Sequence, residues 1–221
     1  MCKKRRIPLT ISSVEEQKHN KEKLSVFCDG KYKFSISVNA WIENRLHIGD
    51  TITDEQIESI HKTDGPNLAF MQIVNYLGYG EKTEKQVLKK LFEKGYDDFS
   101  STQAIQKAKE LNYINDERYT EEYISKIAIP KKMGKQKILT ALIQRGISKD
   151  IIQDKLSELY DEDEMSDFVY TMAVKKCQQL QEKGNNPRQA QQKVYQFLLS
   201  KGFSYETVSH IISLLHDNEF L

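Results

Sequence analysis

The fold is decided by a ten-residue motif that occurs three times in the chain. It reads VLKKLFEKGY at residues 87–96, ILTALIQRGI at residues 138–147 and VYQFLLSKGF at residues 194–203. Its first and fifth residues are apolar and share one face of a helix. The helix dipole favours the cation before the glycine by about 0.3–1 kcal/mol. Each copy therefore predicts a helix that ends at a left-handed glycine, with the next apolar residue closing the contact of a Schellman-type end.

Each copy of the motif lies between two further helical patterns, which predicts three modules of three helices. The flanking helices carry apolar residues at helical spacing, namely Phe70, Ile73, Val74 and Leu77; Ile105, Ala108 and Leu111; Tyr119, Tyr123 and Ile127; Ile152, Leu156 and Leu159; Phe168, Met172 and Ala173; and Val208, Ile211, Ile212 and Leu215. Predicted helix starts lie at Thr83, Ser101 or Thr102, Asn115 or Asp116, Ser148, Asn186 and Ser204, and Pro130 is expected to end a helix.

The predicted modules are module 1 (residues 67–115), module 2 (residues 116–163) and module 3 (residues 164–221). The glycines of the motif recur at intervals of 51 and 56 residues. Because a unit of this size buries little surface alone, neighbouring modules are expected to pack in series. The expected fold is mainly α, with three tandem three-helix modules in an elongated curved array.

The segment before the modules has the pattern of a small β-rich (α+β) domain, at residues 1–64. Asp29-Gly30 separates two alternating apolar runs, which predicts a hairpin with a type I′ turn. Residues 7–14 are expected to add a third strand, and residues 15–23 an exposed loop. We predict a short helix at residues 40–46 with Asn39 as its N-cap, and a second from the capping box of Thr53 to about residue 61. Gly65-Pro66 then predicts a break at residues 62–66.

Composition indicates a very polar chain of 221 residues in a reducing compartment. Hydrophobic residues make up 38%, charged residues 29%, and the net charge is +1. The cysteines, Cys2, Cys28 and Cys177, are odd in number and far apart, so we expect free thiols. The basic residues 3–6 are not followed by the apolar region of a signal peptide, and no run approaches the roughly 20 apolar residues of a membrane span. A cytoplasmic protein without membrane contact is expected.

Residues for catalysis or cofactor binding do not form a recognisable pattern. Gly78-Tyr79-Gly80 lacks the later glycine and lysine of a phosphate loop. His210 and His216 are six residues apart and do not share a helix face, and the acidic run 161–164 is better explained as a solvated segment than as a cation site. We expect no enzyme activity, no cofactor and no metal.

Charge is distributed unevenly along modules 2 and 3. Residues 123–149 contain seven cations and no acid, residues 150–167 contain eight acids against one cation, and residues 168–203 are basic again. One interpretation is an ordinary solvated surface. The other is a basic stripe that faces a polyanion or an acidic protein. The candidate contact residues are Lys126, Lys131, Lys132, Lys135, Lys137, Arg145, Lys149, Lys175 and Lys176.

The order of these motifs resembles the RecX family of recombinase regulators. The resemblance is carried by Tyr76-Leu77, by residues 82–96, by residues 111–119 (LNYINDERY) and by residues 134–147, and it extends over about residues 67–215. The β-rich leader is similar to that of the longer RecX proteins of Gram-positive bacteria. The resemblance implies a protein that binds the RecA recombinase and its filament on single-stranded DNA, and we expect the protein to be a monomer. It also implies inhibition of ATPase and strand exchange, modulation of recombination and DNA repair, and weak or indirect DNA binding.

Two alternatives to RecA regulation stay open at this point. Modules of this kind could work as helix-turn-helix-like units that bind DNA directly, in which case affinity for DNA alone should fall steeply with salt. A plain scaffold of helical repeats for another protein partner is the third possibility. A filament regulator, in contrast, should bind far better when RecA coats the DNA.

Overall fold

The structure, a computed structural model, describes residues 8–17, 20–218 and 220. It is mainly α-helical with an antiparallel sheet in the N-terminal region, which confirms the predicted fold class. The chain divides into two compact units. The first comprises Met1–Glu81 and Val87–Ile114, and the second comprises Lys82–Gln86 and Asn115–Leu221. The borders predicted from the sequence for the β-rich domain and the three modules stay predictions.

The sheet of the first unit has the strand order β3-β2-β1-β4, with β1 at Leu9–Gln17, β2 at Asn20–Cys28, β3 at Lys31–Ser37 and β4 at Thr51–Ile52. The hairpin between β2 and β3 is confirmed. Its turn residues Asp29 and Gly30 have φ values of 49° and 79°, as a type I′ turn requires. The inward face buries Ile11, Val26 and Ile36.

The predicted loop at residues 15–23 is wrong where the structure describes it. Glu15–Gln17 continues β1 and residues 20–23 begin β2, while residues 18 and 19 lie outside the described residues, as does Ile7 of the predicted third strand. Backbone pairing decides this segment, because Glu16 pairs with Leu24 and Gln17 with Asn20. Polar side chains do not prevent a ladder whose hydrogen bonds come from the main chain.

The first helix, α1, spans Val38–Glu43 and begins earlier than predicted. Its N-cap is Ser37 and not Asn39, because the hydroxyl of Ser37 accepts a hydrogen bond from the N–H of Ala40 at 3.0 Å. The N–H of Ser37 in turn donates to the buried carboxylate of Asp64 at 2.7 Å. The end of β3 and the start of α1 are thus fixed by a residue distant in sequence.

The predicted break at residues 62–66 is also wrong, since α2 runs without interruption from Asp54 to Leu77. The predicted capping box of Thr53 and Gln56 is present at its start. Proline inside a helix removes a hydrogen bond and usually bends the chain. Here Gly65 lies against a neighbouring helix so closely that an added Cβ would overlap the hydroxyl of Ser100. Tertiary packing therefore holds the helix through Gly65-Pro66.

Two further helices lie within the range predicted for module 1, α3 at Glu84–Glu93 and α4 at Asp98–Glu110. The predicted start of α4 at Ser101 or Thr102 is wrong. Asp97 caps it by accepting a hydrogen bond from the N–H of Ser100 at 2.8 Å, and this bond holds the pKa of the Asp97 carboxyl below its usual range. Leu111, predicted on the apolar face, is 53% exposed.

The second unit contains the helices of modules 2 and 3, which share one hydrophobic core. They are α5 (Asp116–Tyr123, continued by a π-helical turn at Ile124–Ala128), α6 (Lys135–Gln144), α7 (Lys149–Leu159), α8 (Glu162–Glu182), α9 (Pro187–Ser200) and α10 (Tyr205–Asp217). The predicted caps Asn115, Ser148, Asn186 and Ser204 are confirmed.

All three copies of the motif end their helices as predicted. The φ values of Gly95, Gly146 and Gly202 are 81°, 95° and 91°. In each copy, the N–H of the residue after the glycine donates to the carbonyl of the leucine at the fifth position of the motif. The three distances are 3.1, 3.1 and 3.4 Å. These bonds define a Schellman-type end. The following Ile147 and Phe203 are buried, so the motif sets both the helix end and a core contact.

Candidate interaction surface

The contact between modules 2 and 3 is built on backbone groups of the motif. At the start of α6, the N–H of Gly134 donates to the carbonyl of Lys201 at 2.9 Å, and that of Gln136 donates to the carbonyl of Gly202 at 3.1 Å. The N-terminus of one middle helix therefore satisfies the free carbonyls at the C-terminus of the next. This arrangement places the beginning of α6, with its lysines, beside the end of α9.

An equivalent contact joins the start of α3 to the end of α6. The hydroxyl of Thr83 donates to the carbonyl of Arg145 at 2.6 Å, and the side chain of Lys85 packs on Gly146. The N–H of Glu84 donates to the carboxylate of Asp116 at 3.0 Å. The start of α3 thus packs on the end of α6, just as the start of α6 packs on the end of α9.

A basic groove lies between α8, α9 and the segment after the π-helical turn. We call it the lysine groove; it has a volume of about 330 Å³ and is lined by Lys132, Thr171, Met172, Lys175, Lys176, Gln179 and Phe197. Among the residues that the structure describes, no acid lines it. Three ammonium groups without a carboxylate create a positive potential that attracts anionic groups.

Aromatic rings hold several of these lysines in place. The Nζ of Lys132 lies 4.2 Å from the centre of the Phe168 ring, and that of Lys176 lies 5.3 Å from the Phe197 ring. Lys201 approaches the same Phe197 ring at 5.5 Å. Cation–π contacts of this kind contribute about 0.5–1 kcal/mol at exposed sites. They limit the freedom of the side chains, so that less entropy is lost when an anion binds.

The backbone presents Lys132 in an unusual conformation. The π-helical turn ends with the N–H of Lys132 donating to the carbonyl of Ile129 at 2.9 Å and that of Met133 donating to Ala128 at 3.0 Å. Lys132 has a φ of 51°, which is a left-handed conformation that costs a residue with a Cβ about 1–2 kcal/mol. A helix end that favours glycine thus carries a lysine that lines the groove.

The structure brings three of the nine candidate cations together in the lysine groove, namely Lys132, Lys175 and Lys176. Lys126 pairs with Glu122 at 2.9 Å, and Lys135 lies 5.3 Å from the ring of Tyr160. Lys137 donates to the carbonyl of Ser200, and Arg145 donates to the carbonyl of Ala141 while its guanidinium covers Tyr123. Lys131 and Lys149 are exposed. The geometry adds Lys201 and Phe197, which were absent from the candidate set.

Metal-ligating side chains and cysteines occur in the described part of the chain. It contains no cluster of three or more metal-ligating side chains. Cys28 and Cys177 are free and buried, as predicted, and burial raises the pKa of both thiols; Cys2 lies outside the described residues. Within the same part of the chain, no helix has the length and apolar character needed to span a bilayer.

These features define a protein of tandem three-helix domains preceded by an antiparallel sheet. Models of three RecX domains match this chain: the regulatory protein RecX N-terminal domain at residues 9–53, the second three-helix domain at residues 115–156 and the third at residues 169–212. The chain belongs to the RecX family of regulatory proteins.

Relatives match over nearly the whole chain, and solved structures match over 69% to 92% of it. The regulatory protein RecX of Clostridium perfringens is 34% identical over 96% of this chain and 98% of its own length. That of Clostridium botulinum is 33% identical over 91% and 94%. A crystal structure of regulatory protein RecX matches with a TM-score of 0.66 at 28% identity, covering 92% of this chain and 98% of that one. RecX from Lactobacillus salivarius matches with a TM-score of 0.62 at 30% identity, over 69% and 97%.

Proposed function

We propose that this chain binds the RecA recombinase and its filament on single-stranded DNA and thereby lowers ATPase and strand-exchange activity. Membership of a family of regulatory proteins supports this function. The observation that carries it is the lysine groove, in which three ammonium groups face solvent without an acid among the described lining residues. Such a groove fits a surface rich in carboxylates or phosphates, and a DNA-bound filament offers both kinds of group.

The groove acts through preorganised charge and requires no chemical step. Lys132 and Lys176 are already held against aromatic rings. Binding therefore orders fewer side chains than a set of free surface lysines would. The expected consequence is a salt-sensitive complex, because surface charges that meet an anionic partner are screened at physiological ionic strength.

The experiment is a titration of RecA's ATPase on single-stranded DNA with this protein, followed by a strand-exchange assay. Inhibition should saturate, and the variant Lys132→Gly/Lys175→Gln/Lys176→Gln should need roughly tenfold more protein for the same effect. Each change removes a charge without introducing a like-charge repulsion. ATPase and strand exchange that stay unchanged at saturating protein would reject the proposal.

A matched control removes three exposed cations outside the groove, as Lys31→Gln/Lys62→Gln/Lys89→Gln. This variant lowers the net charge by the same amount and should inhibit as well as the unmodified protein. If both variants lose inhibition equally, total charge and not the lysine groove determines binding. Thermal unfolding of both variants verifies that the fold is retained.

Direct DNA binding is the second candidate function, and the absence of an acid among the described groove residues favours it as well. Three lysine–phosphate contacts on a single strand would contribute about −2 to the slope of log K against log salt. A direct binder should show this slope on naked DNA and lose it in the groove variant. A RecA regulator should instead bind naked DNA weakly and without strong dependence on the groove.

A further inference from the structure

The middle helix of each module has two different flanks on either side of its buried face. The residues four and eight places before the motif glycine are buried in all three copies. They are Leu91 and Val87, Leu142 and Ile138, and Leu198 and Val194. The residues one and five places before the glycine lie on one side of this buried face, and those three and seven places before it lie on the other. The first side carries the cation of the motif. The second side carries large apolar residues in every module.

The residue three before the glycine is apolar and exposed in all three copies. Phe92, Ile143 and Leu199 expose 47%, 38% and 40% of their surface. None of them is a member of a hydrophobic core cluster among the described residues. The residue seven before the glycine, at Leu88, Leu139 and Tyr195, is half-buried against the core. Each middle helix therefore presents an i, i+4 apolar pair of which one member faces solvent.

Neighbouring exposed positions show that this pattern is not a general lack of polar residues. The position two before the glycine holds Glu93, Gln144 and Ser200, and the position six before it holds Lys89, Thr140 and Gln196. All six are exposed and polar. Single exposed apolar residues are common on protein surfaces. A large apolar residue at the same exposed position of every repeat, flanked by polar ones, is instead typical of a binding surface in repeat proteins.

The charges of modules 2 and 3 indicate what kind of surface would cover this flank. Neither α6 nor α9 contains an acidic residue, whereas Lys135 and Arg188 lie at their first turns. A groove of about 390 Å³ continues the flank toward the start of α9 and is lined by Arg188, Gln191, Gln192 and Tyr195. A complementary surface would combine large apolar side chains with nearby carboxylates. Phosphates alone would leave the apolar side chains uncovered.

We propose that the apolar flank of α6 (Leu139 and Ile143) and that of α9 (Tyr195 and Leu199), together called the apolar flank, dock one protein partner. The partner offers apolar side chains bordered by carboxylates, one of which pairs with Arg188. This inference rests on the proposed function, because it takes the recombinase filament as that partner. It assigns the protein contact to the apolar flank, a surface separate from the residues that line the lysine groove.

The test uses the double variant Ile143→Gln/Leu199→Gln. Both residues are exposed and glutamine is a good helix former, so the fold should be unaffected. The matched control is Ile48→Gln/Ile127→Gln, which changes two exposed isoleucines outside the flank. Inhibition of RecA's ATPase on single-stranded DNA is measured for both variants and for the unmodified protein. Circular dichroism and thermal unfolding check the fold.

We expect the flank variant to inhibit about tenfold less well and the control to match the unmodified protein. A flank variant that inhibits as well as the unmodified protein overturns the inference and leaves the proposed function intact. An unmodified protein that does not inhibit overturns the proposed function and this inference with it. Sedimentation adds a third outcome: if the unmodified protein is a dimer and the flank variant a monomer, a second copy covers the flank and the assignment to the recombinase is overturned.

Discussion

The ends of α9 and α3 carry the same sequence motif in different surroundings. Gly202 and Gly95 both have a left-handed backbone. The same hydrogen bonds join each glycine and the residue after it to the helix that ends there. At Gly202, however, an added Cβ would lie 2.5 Å from the backbone nitrogen of Lys137, whereas at Gly95 nothing lies within 4 Å. The motif therefore ends a helix in both places, and at Gly202 it also leaves room for the start of α6. Stability measurements can separate these two roles.

Gly202→Ala should give the largest effect. It adds the cost of a left-handed alanine to a collision with the backbone of Lys137. Together these should lower the free energy of unfolding by about 3 kcal/mol or more. Urea unfolding monitored by circular dichroism measures this change. A loss no larger than that of Gly95→Ala would show that the contact between α6 and α9 is looser than described.

Gly134→Ala isolates the steric part of the same contact. Gly134 has a φ of −72°, which any residue adopts, but an added Cβ would overlap the carbonyl of Gly202. Overpacking alone should cost about 2 kcal/mol. The measurement is again urea unfolding. Gly30→Ala in the turn of the hairpin is the contrasting variant, because it adds a left-handed alanine without any overlap. An unchanged midpoint for Gly134→Ala would mean that the junction can open without loss of stability.

Gly95→Ala should cost only about 1 kcal/mol, since just the left-handed backbone opposes the methyl group. Gly95→Asn should recover part of this loss, because asparagine tolerates the left-handed region better than alanine. Comparing the two variants by thermal unfolding tests the role of the motif in ending a helix. Equal losses for alanine and asparagine would argue against a purely conformational cost.

Lys132→Gly should give the smallest change in stability, within about 1 kcal/mol. Relief of the left-handed conformation is offset by the greater freedom of glycine in the unfolded chain. The same substitution removes an ammonium group from the lysine groove. A thermal midpoint that stays nearly constant while RecA inhibition weakens would separate binding from folding at this residue.

The sequence was sufficient for features that depend on local interactions. The three motif ends, the Asp29-Gly30 turn and the caps at Ser148, Asn186 and Ser204 are all set by residues within five positions of one another. Family membership could also be predicted, because the order of the motifs is itself a sequence property.

Features that depend on distant residues could not be predicted in this way. Gly65-Pro66 has the composition of a break, yet packing against Ser100 keeps α2 continuous. Ser37 caps α1 with help from Asp64, which lies 27 residues away. The lysine groove combines residues of three segments. The uneven charge of the sequence indicates Lys132, Lys175 and Lys176 but does not distinguish them from Arg145, whose guanidinium covers Tyr123. Phe197 has helical spacing typical of a core residue and gave no separate signal.

Binding to naked and to RecA-coated single-stranded DNA, measured side by side at the same salt concentration, tests the central claim most directly. The proposed function predicts far tighter binding to the coated strand, with the loss of affinity in Lys132→Gly/Lys175→Gln/Lys176→Gln confined mainly to that complex. Equal or tighter binding to naked DNA would contradict a RecA regulator and favour direct DNA recognition.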